Sequence, residues 1–314
     1  MKTIVIFVRT IDPGGYPFSD EYHWNAYFDL LLALRRRGVQ AYFATGNDTY
    51  AGAGLFKQAF TASEKMAVAD LRPTTNVRAD LVFEKGGFRG RDVMVVNPEY
   101  VHKIASSKTE TYKMFPGYQP KSVIAESFEA AKRAFEEIPG TLIVVKEPDS
   151  NGGRAVQIGE KIKLIDELPT QYPLIIQEFI DTSIGVPGLV EGIHDVRVKI
   201  GGGKIFGGMV RQPAPGEYRA NLAQGGSARH LLPDELPAEV IRLGLEVDCF
   251  FEKYPRYYAI DFANTPTGWK MIELNSKPGL SPVSVSAAAK HVIEELANYL
   301  IQICPNPKTT GFGV

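Results

Sequence analysis

The first hundred residues alternate between short apolar runs and a longer amphipathic segment. "TIVIFV" near the N-terminus predicts a buried strand, and apolar positions recur at helical spacing from Glu21 to Arg37. Ser19 and Asp20 are candidate N-caps for this helix, and Gly38 would end it. The runs "VQAYFAT", "ADLVFEK" and "VMVVN" predict three further strands. Strands that alternate with helical segments predict an α/β domain over residues 1–104, built on a small parallel sheet of βαβ units.

The pattern changes after about residue 104, which indicates a second domain over residues 105–314. Apolar runs in "KSVIAES", "TLIVVK", "AVQIG" and "YPLIIQEFI" predict strands, and "SFEAAKRAFEEI" predicts a helix. "HDVRVKIGGGKIFGGMVRQ" is typical of a hairpin with a glycine turn. Helical periodicity follows in "PDELPAEVIRLGLEVDCFFEKY" and in the closing segment "VSVSAAAKHVIEELANYLIQIC". "GEYRANLAQGGSARH" is predicted to be a loop.

The segment "YYAIDFANTPTGWKMIELNSKPG" is the most informative part of the chain. Side chains alternate across a strand, so a hairpin that turns at Pro266 or Thr267 would place several polar side chains together. One face would carry Asp261, Met271, Glu273 and Asn275, and the apolar face would carry Tyr258, Ile260, Phe262, Ile272 and Leu274. Two carboxylates and a carboxamide are oxygen ligands that suit Mg²⁺. The alternative is a hairpin whose polar face is only solvated, which we consider the weaker interpretation.

Composition narrows the class of protein. The chain has 314 residues, 44% of them hydrophobic, which is enough for about two domains. Its 35 Lys and Arg balance 36 Asp and Glu, so charge indicates neither a nucleic-acid nor a membrane partner. Cys249 and Cys304 match no metal-binding spacing and are interpreted as reduced thiols of a cytoplasmic protein. The N-terminal apolar run is too short for a signal peptide, and no segment has the apolar length of a membrane span.

Two further segments contain candidate phosphate-binding groups. "VVKEPDSNGG" combines Lys146, at the end of a predicted strand, with Gly152 and Gly153, whose backbone N–H groups could approach phosphate oxygens closely. It lacks the G-K-[ST] ending of a P-loop, and a solvated lysine beside an ordinary turn is an equally good interpretation. "HDVRVKI" places Asp195, Arg197 and Lys199 on one strand face. A ladder of cross-strand salt bridges explains that row better than phosphate binding does, as long as the segment is considered alone.

Two more segments gain meaning only from their position in the chain. Arg219 and Asn221 lie in the glycine-containing loop, where arginine suits bidentate carboxylate or phosphate contacts. An exposed loop is the simpler interpretation of that segment. "QEFID" ends a predicted buried strand, where backbone groups could contact an adenine and Asp181 could accept from a ribose.

Taken in order, these motifs resemble the ATP-grasp family, and most closely prokaryotic glutathione synthetase and the RimK-type glutamate ligases. The resemblance covers about Asn97 to Ala289 and is strongest in "DVRVKIGGGKIFGGMVRQ", "EYRANLAQGG" and "IELNSKPGL". It implies an ATP-grasp fold preceded by an N-terminal pre-ATP-grasp domain. It also implies a first lobe at residues 105–178, a second lobe with a metal site at 179–305, and a tail at 306–314.

The resemblance implies a role for each candidate residue. Lys108 and Lys146 would contact ATP phosphates, and Gly152 and Gly153 would form a closing loop. The adenine and ribose contacts would come from Gln177, Glu178, Phe179, Ile180 and Asp181, the acyl-phosphate or carboxylate contacts from Arg197, Arg211, Arg219 and Asn221, and the Mg²⁺ ligands from Asp261, Glu273 and Asn275. One or two Mg²⁺ ions are implied, with Mn²⁺ as a further candidate. The segment from Thr182 to Ile193 is longer than the resemblance implies, so Glu191 competes with Asp181 for the ribose.

The resemblance implies an ATP-dependent, ADP-forming carboxylate–amine ligase that works through an acyl phosphate. Its substrates would be small carboxylates and amines such as amino acids or short peptides, and the protein could form a homo-oligomer. The loop "IDPGGYPFSDEYHWN" is the candidate substrate contact, with His23 and Asn25 as candidate participants. A surface turn and a helix cap, with His23 as a packing residue, explain these residues better. A small-molecule kinase and a nucleotide-binding module without catalysis are the alternatives.

Overall fold

The computed structural model describes residues 1–64, 67–148, 155–220 and 225–306. Within these ranges the chain forms three β-sheets, one of seven strands, one of four and one of five. Each sheet is built from one stretch of the chain, in the order N-terminal, middle and C-terminal.

The N-terminal sheet has a parallel core extended by antiparallel strands. Its elements are β1 Thr3–Phe7, α1 Glu21–Arg36, β2 Gln40–Ala44, β3 Tyr50–Gly52, β4 Leu55–Thr61, β5 Arg72–Arg78, β6 Leu81–Glu84 and β7 Met94–Val96. The order is β3-β4-β2-β1-β6-β7, with β5 paired to β4. β2, β1, β6 and β7 are parallel, as the sequence predicts, and Asp20 caps α1 by accepting from the N–H of Tyr22.

The antiparallel strands β3, β4 and β5 were not predicted. Few of their side chains are buried, mainly Phe56, Ala59 and Val77, and their polar residues face solvent. A strand that buries so few side chains has a weak hydrophobic period, so its assignment depends on pairing with a neighbour.

The middle of the chain forms a four-stranded antiparallel sheet. Two helices lead into it, α2 Glu99–Ser106 and α3 Lys108–Met114, and its elements are β8 Ser122–Ala125, α4 Phe128–Glu137, β9 Leu142–Lys146, β10 Val156–Glu160, α5 Lys161–Leu164 and β11 Leu174–Glu178. The strand order is β10-β9-β11-β8. The apolar stripe of α4, with Ala131, Ala134 and Phe135, packs against one face of this sheet. The opposite face is available to a ligand.

The C-terminal part forms a five-stranded antiparallel sheet. Its elements are β12 Asp195–Gly201, β13 Lys204–Gln212, β14 Ser227–Leu231, α6 Ala238–Cys249, β15 Tyr257–Thr265, β16 Gly268–Asn275 and α7 Ala287–Ile303, with strand order β14-β13-β12-β15-β16. Val196, Val198 and Ile260 lie on one face and share a core with Val240 and Val247 of α6. The predicted hairpins and helices are confirmed, but residues 227–231, expected to belong to a loop, pair with β13 as a strand.

Helix α7 joins the C-terminal sheet to α1 of the N-terminal part of the chain. Leu296 and Leu300 share one buried core with Phe28 and Leu31 of α1, and the same core includes Phe206 of β13. Lys85, directly after β6, donates to the carbonyl of Pro278, after β16, at 2.7 Å. The carboxyl ends of β6 and of its neighbour β1 therefore lie against the C-terminal sheet.

The predicted domain boundaries stay a proposal, although each sheet falls inside one of the predicted segments. The tail beyond residue 306 lies outside the described residues. None of the described helices is both long and apolar enough to cross a bilayer.

Candidate active site

The hairpin of β15 and β16 places the predicted metal ligands on one face. Asp261 lies opposite Glu273, and Ala259 lies opposite Asn275. A β-bulge then shifts the register, because Phe262 pairs with Met271 and leaves Ile272 as an extra residue. The predicted faces of Met271 and Ile272 are therefore wrong: Met271 is buried in the apolar core with Phe262, and Ile272 lines the cleft beside Glu273.

Asp261 lies in a buried network of two carboxylates and two guanidinium groups. Arg197 donates to both of its oxygens at 2.6 Å, and Arg211 donates to Oδ2 at 2.7 Å. Arg211 also binds both oxygens of Asp195, at 2.6 and 2.7 Å. These pairs join β12, β13 and β15 across the sheet, so the cross-strand ladder considered for "HDVRVKI" is present.

The network gives its two carboxylates opposite pKa shifts. Burial tends to raise the pKa of Asp261, but Arg197 and Arg211 outweigh it and lower the pKa to about 2. Burial prevails at Asp195, whose pKa rises to about 6 although Arg211 opposes the change. Asp261 is therefore a fixed negative charge at neutral pH, held in one orientation by two bonds from Arg197 and one from Arg211.

Glu273 faces the cleft and has a different electrostatic environment from that of Asp261. Its nearest charged contact is Arg197, with 3.8 Å between Nη2 and Oε1. Within the described residues its carboxylate accepts no hydrogen bond, and burial together with the charge of Asp261 raises its pKa. A cation placed beside Glu273 would offset both effects.

This donor set fits a magnesium ion. Glu273 and Asp261 supply neighbouring carboxylates, and Asn275 supplies an amide oxygen that also accepts from the N–H of Lys277 at 2.9 Å. Among the described residues no cluster of three or more His, Cys, Asp and Glu side chains is placed to hold a metal, so an ion here needs Asn275, water or phosphate to complete its shell. The assignment of the three ligands stays a prediction.

Lys146 lies at the end of β9, on the opposite wall of the cleft. It is buried, and its Nζ donates to Oε1 of Gln177 at 2.5 Å. Gln177 in turn donates to Ser122 Oγ at 2.8 Å. Burial lowers the pKa of Lys146 to about 8, with Glu273 opposing and Lys108 reinforcing the change. The charges of Lys108, Lys146 and Glu273 therefore act on one another within the cleft.

The predicted adenine segment forms one edge of the cleft. Residues 177–182 line it together with apolar side chains that include Val144, Ile158 and Ile180. Phe179 packs edge-on against Tyr218, with 5.2 Å between ring centroids. Asp181 also lines the cleft, and its Oδ1 accepts from the N–H of Ser183 at 2.9 Å, whereas Glu191 does not belong to the lining. This arrangement favours Asp181 for the ribose contact.

The cleft lies between the middle and C-terminal sheets. It contains about 980 Å³ of space, part of it open to solvent, a volume suited to a nucleotide-sized ligand. Lining residues that are also predicted site residues are Lys108, Lys146, Gln177, Glu178, Phe179, Ile180, Asp181, Arg211, Arg219, Asp261 and Glu273. Arg197 and Asn275 are neighbours of these residues but do not line the cleft.

Arg219 reaches the cleft from the segment after β13. Its guanidinium contacts Glu217, with 3.1 Å between Nη2 and Oε2. Gly152, Gly153 and Asn221, which the resemblance assigns to the closing loop and the acyl-phosphate site, lie outside the described residues.

Sequence reasoning missed two kinds of contributor to the cleft. Gln177 was expected to act through its backbone at an adenine, but its side chain holds Lys146 in place. Tyr218 packs edge-on against Phe179 of the adenine segment, from a loop more than thirty residues away in the chain. Alternation along β11 could have indicated that Gln177 faces Lys146 once β9 and β11 were paired; no local signal indicates Tyr218.

Comparison with known proteins agrees with this architecture. The sequence profile of the RimK-like ATP-grasp domain matches residues 112–300, which is more than half of the chain. The protein therefore belongs to the RimK-like ATP-grasp family, and the predicted likeness to RimK-type ligases is confirmed.

Individual relatives extend the comparison. A probable alpha-L-glutamate ligase of Syntrophotalea carbinolica is 28% identical over 191 residues, 58% of this chain and 57% of the relative. The match thus spans a little over half the length of that curated relative.

Solved structures support the fold over almost the whole chain. D-alanyl-alanine synthetase A from Vibrio cholerae superposes with a TM-score of 0.61 at 13% identity, covering 96% of each chain. The ATP-grasp ligase PsnB, in complex with a phosphomimetic variant of its minimal precursor, Mg and ADP, superposes with a TM-score of 0.57 at 15% identity, covering 95% of this chain and 97% of PsnB. The predicted ATP-grasp fold is confirmed.

Proposed function

We propose that the protein is an ATP-dependent, ADP-forming ligase that joins a carboxylate to an amine through an acyl phosphate. One observation carries the proposal: two lysines, a fixed carboxylate and a second carboxylate that accepts no hydrogen bond from the described residues surround one cleft with an apolar edge. The apolar edge suits a purine, and the charged end suits a polyphosphate with a divalent cation. Membership of the RimK-like family supports the same reaction class.

The chain's own groups would position and neutralise ATP. Residues 177–182 would hold the base and ribose, and Lys108 and Lys146 would neutralise phosphate oxygens at the opposite end. Because Lys146 is fixed by Gln177, its charge needs little reorganisation during phosphoryl transfer. Glu273, Asp261 and Asn275 would hold one or two Mg²⁺ ions, or Mn²⁺, which supply charge neutralisation at the transferred phosphoryl group.

Arg211 and Arg219 would act on the acid substrate. Both line the cleft, and Arg211 is oriented by Asp195 and Asp261. Guanidinium groups suit the oxygens of an acyl phosphate and of the tetrahedral species formed when the amine attacks. Phosphate would leave as the amide bond forms. Gly152, Gly153 and Asn221, which lie outside the described residues, would take the roles that the resemblance gives them.

The substrates would be an amino acid or short peptide and a second small carboxylate or amine. The curated relatives are named as glutamate ligases, whereas the PsnB neighbour is bound to a precursor. A cytoplasmic location fits the two free cysteines, and a homo-oligomer stays a prediction.

Product analysis separates this proposal from a kinase or a non-catalytic module. The protein is incubated with Mg-ATP and a panel of amino acids and dipeptides, and phosphate, ADP and amide product are quantified. We expect substrate-dependent release of phosphate and ADP in equal amounts, with amide product. ADP without free phosphate would identify a kinase, and nucleotide binding without turnover across the panel would identify a binding module.

A further inference from the structure

The segment at residues 182–194, which is longer than the resemblance implies, folds as a compact loop. Val186 and Val190 pair as an isolated bridge, in which the N–H of Val186 donates to the carbonyl of Val190 at 2.7 Å. Val190 also packs against the core of the C-terminal sheet. The two ends of the loop, Thr182 and His194, both line the nucleotide cleft. The loop is therefore part of the folded wall of the cleft.

Asn264 of β15 holds the first turn of this loop. Its Nδ2 donates to the carbonyl oxygen of Gly185 at 2.8 Å. The N–H of Gly185 donates to the carbonyl oxygen of Thr182 at 3.2 Å, and the N–H of Ser183 donates to Oδ1 of Asp181 at 2.9 Å. Three successive hydrogen bonds thus lead from Asn264 to the carboxylate that is proposed to contact the ribose.

The other end of the loop depends on Asn264 as well. The backbone N–H of Asn264 donates to Nε2 of His194 at 3.3 Å. The carbonyl oxygen of Gly192 can only accept, so Nδ1 of His194, 2.9 Å from it, carries the proton. The ring is therefore neutral, in agreement with burial that lowers the pKa of His194. The N–H of His194 donates to Oγ1 of Thr182 at 3.4 Å, which joins the two ends.

The anchor of the loop is a regular part of the sheet. Asn264 lies opposite Trp269 of β16, and the same strand carries Asp261 of the proposed metal site. A second hydrogen bond to the loop comes from β13, where Nε2 of Gln212 donates to the carbonyl oxygen of Glu191 at 2.9 Å. Side chains on paired strands hold a site more precisely than side chains on loops do. β15 can therefore relate the ribose end of the cleft to its phosphate end.

We propose that Asn264 is a positioning residue for the bound nucleotide. It would fix the turn at residues 182–185 and so place the carboxylate of Asp181 to accept from a ribose hydroxyl. Asn264 is not among the described residues that line the cleft, so it would act through the loop and not by touching the ligand. Because Asp181 belongs to the proposed nucleotide site, this role rests on the proposed function.

The preference for a ribose with hydroxyl groups tests this role. Mg-ADP and Mg-2′,3′-dideoxy-ADP, which lacks both hydroxyls, are titrated into each protein by calorimetry. Since hydrogen bonds to a carboxylate are strong, we expect the wild type to bind ADP about tenfold more tightly. Asn264→Ala removes the bond to Gly185 and keeps the backbone N–H that reaches His194. Its preference should fall below about threefold, with the affinity for dideoxy-ADP unchanged.

A matched control removes the same kind of bond elsewhere. Nδ2 of Asn47 donates to the carbonyl oxygen of Gly87 at 3.0 Å, within the N-terminal part of the chain. Asn47→Ala should keep the ribose preference of the wild type. Asp181→Ala should lose that preference, and adding Asn264→Ala to it should cause no further loss, because both changes would act on one contact.

A purely structural role for Asn264 predicts a different result. Asn264→Ala would then weaken the binding of both nucleotides by the same factor, and their ratio would stay that of the wild type. A smaller folded fraction also cancels in this ratio. Should Asn264→Ala not fold, Asn264→Ser, whose side chain is shorter than that of asparagine, is measured in the same way with the same expected loss of preference.

A ribose preference retained in the folded Asn264 variant, or equal affinity of the wild type for the two nucleotides, would overturn the inference. Neither result would affect the proposed ligase function, which is tested by amide formation in the wild type. Absence of Mg-ADP binding to the wild type would instead contradict the ligase proposal. The two failures are therefore distinguishable.

Discussion

At the scale of single residues, the two carboxylates of the proposed metal site differ sharply. Asp261 accepts hydrogen bonds from the guanidinium groups of Arg197 and Arg211. Glu273 faces the cleft, and its Oε1 lies 3.8 Å from Nη2 of Arg197. The first carboxylate therefore contributes to both the fold and the site, and the second mainly to the site. Substitutions that remove one charge should separate these contributions.

We expect Glu273→Gln and Asp261→Asn to affect stability differently. Glu273→Gln should change the free energy of unfolding by less than about 1 kcal/mol, because it removes a carboxylate with no hydrogen-bond donor among the described residues. Asp261→Asn leaves Arg197 and Arg211 undercompensated and should cost about 3 kcal/mol. Urea denaturation measures both. Both variants should lose Mg-dependent turnover, and near-normal activity in Glu273→Gln would contradict the metal assignment.

Lys146 should make nucleotide affinity depend on pH. Burial lowers its pKa to about 8, and only the protonated form attracts phosphate, so the attraction is present below pH 8 and is lost as pH rises through that value. We expect the Kd for Mg-ADP, measured by calorimetry, to rise up to about tenfold between pH 8 and pH 9.

Two lysine variants test the origin of that pH dependence. Lys146→Gln should bind Mg-ADP weakly at every pH, with a flattened profile. Lys163→Gln removes a lysine that is 69% exposed and should keep the profile of the wild type. An unchanged profile in Lys146→Gln would assign the titration to another group.

At the scale of elements, local irregularities place the site. The bulge at Ile272 lets that residue and Glu273 both face the cleft, although regular alternation would separate them. The end of β6 is fixed by close backbone packing instead. A Cβ at Gly86 would lie 2.1 Å from the carbonyl carbon of Val8 and 2.4 Å from the nitrogen of Arg9. A side chain at this position would push apart the ends of β1 and β6.

We expect Gly86→Ala to destabilise the protein by about 1–3 kcal/mol, because its contacts are with backbone atoms that cannot rotate away. Thermal unfolding followed by circular dichroism measures the change. Gly117→Ala is the matched control, since a Cβ there meets nothing within 4 Å, and its Tm should match that of the wild type. Equal Tm values for both variants would show that the β1 and β6 ends tolerate separation.

At the scale of the whole molecule, α7 packs between α1 of the N-terminal part and the C-terminal sheet. Leu296 is fully buried in the core that combines side chains of α1, α7 and β13. This shared core holds Lys85 against the segment that follows β16. The two parts are therefore coupled through packing.

We expect Leu296→Ala to cost about 2–5 kcal/mol and to lower the stability of both parts together. The two tryptophans report on the two parts, because Trp24 lies in α1 and Trp269 in β16. Fluorescence of Trp269→Phe, which retains Trp24, should give the same denaturant midpoint as the circular dichroism of that protein, with or without Leu296→Ala. Separate midpoints in the Leu296→Ala background would show that the parts unfold independently.

The sequence by itself determined which residues share a face and where strands end. The period of two in "IELN" places Glu273 with Asn275, the turn at residues 266–267 brings Asp261 to them, and Lys146 ends an apolar run. These features depend on neighbours a few residues apart, so they are readable from the chain. The bulge that turns Ile272 to the cleft was not readable, because no local signal marks an unpaired residue in this strand.

Only the tertiary structure decided which charges meet. Arg197 and Arg211 contact Asp261 from strands fifty or more residues away, and Lys85 donates to the carbonyl of Pro278, 193 residues further along the chain. Local periodicity fixes the direction of a side chain, but strand order and the docking of α7 fix what lies opposite it. Burial and these partners then set each charge's free energy, which is why the pKa of Asp261 is lowered and that of Glu273 is raised.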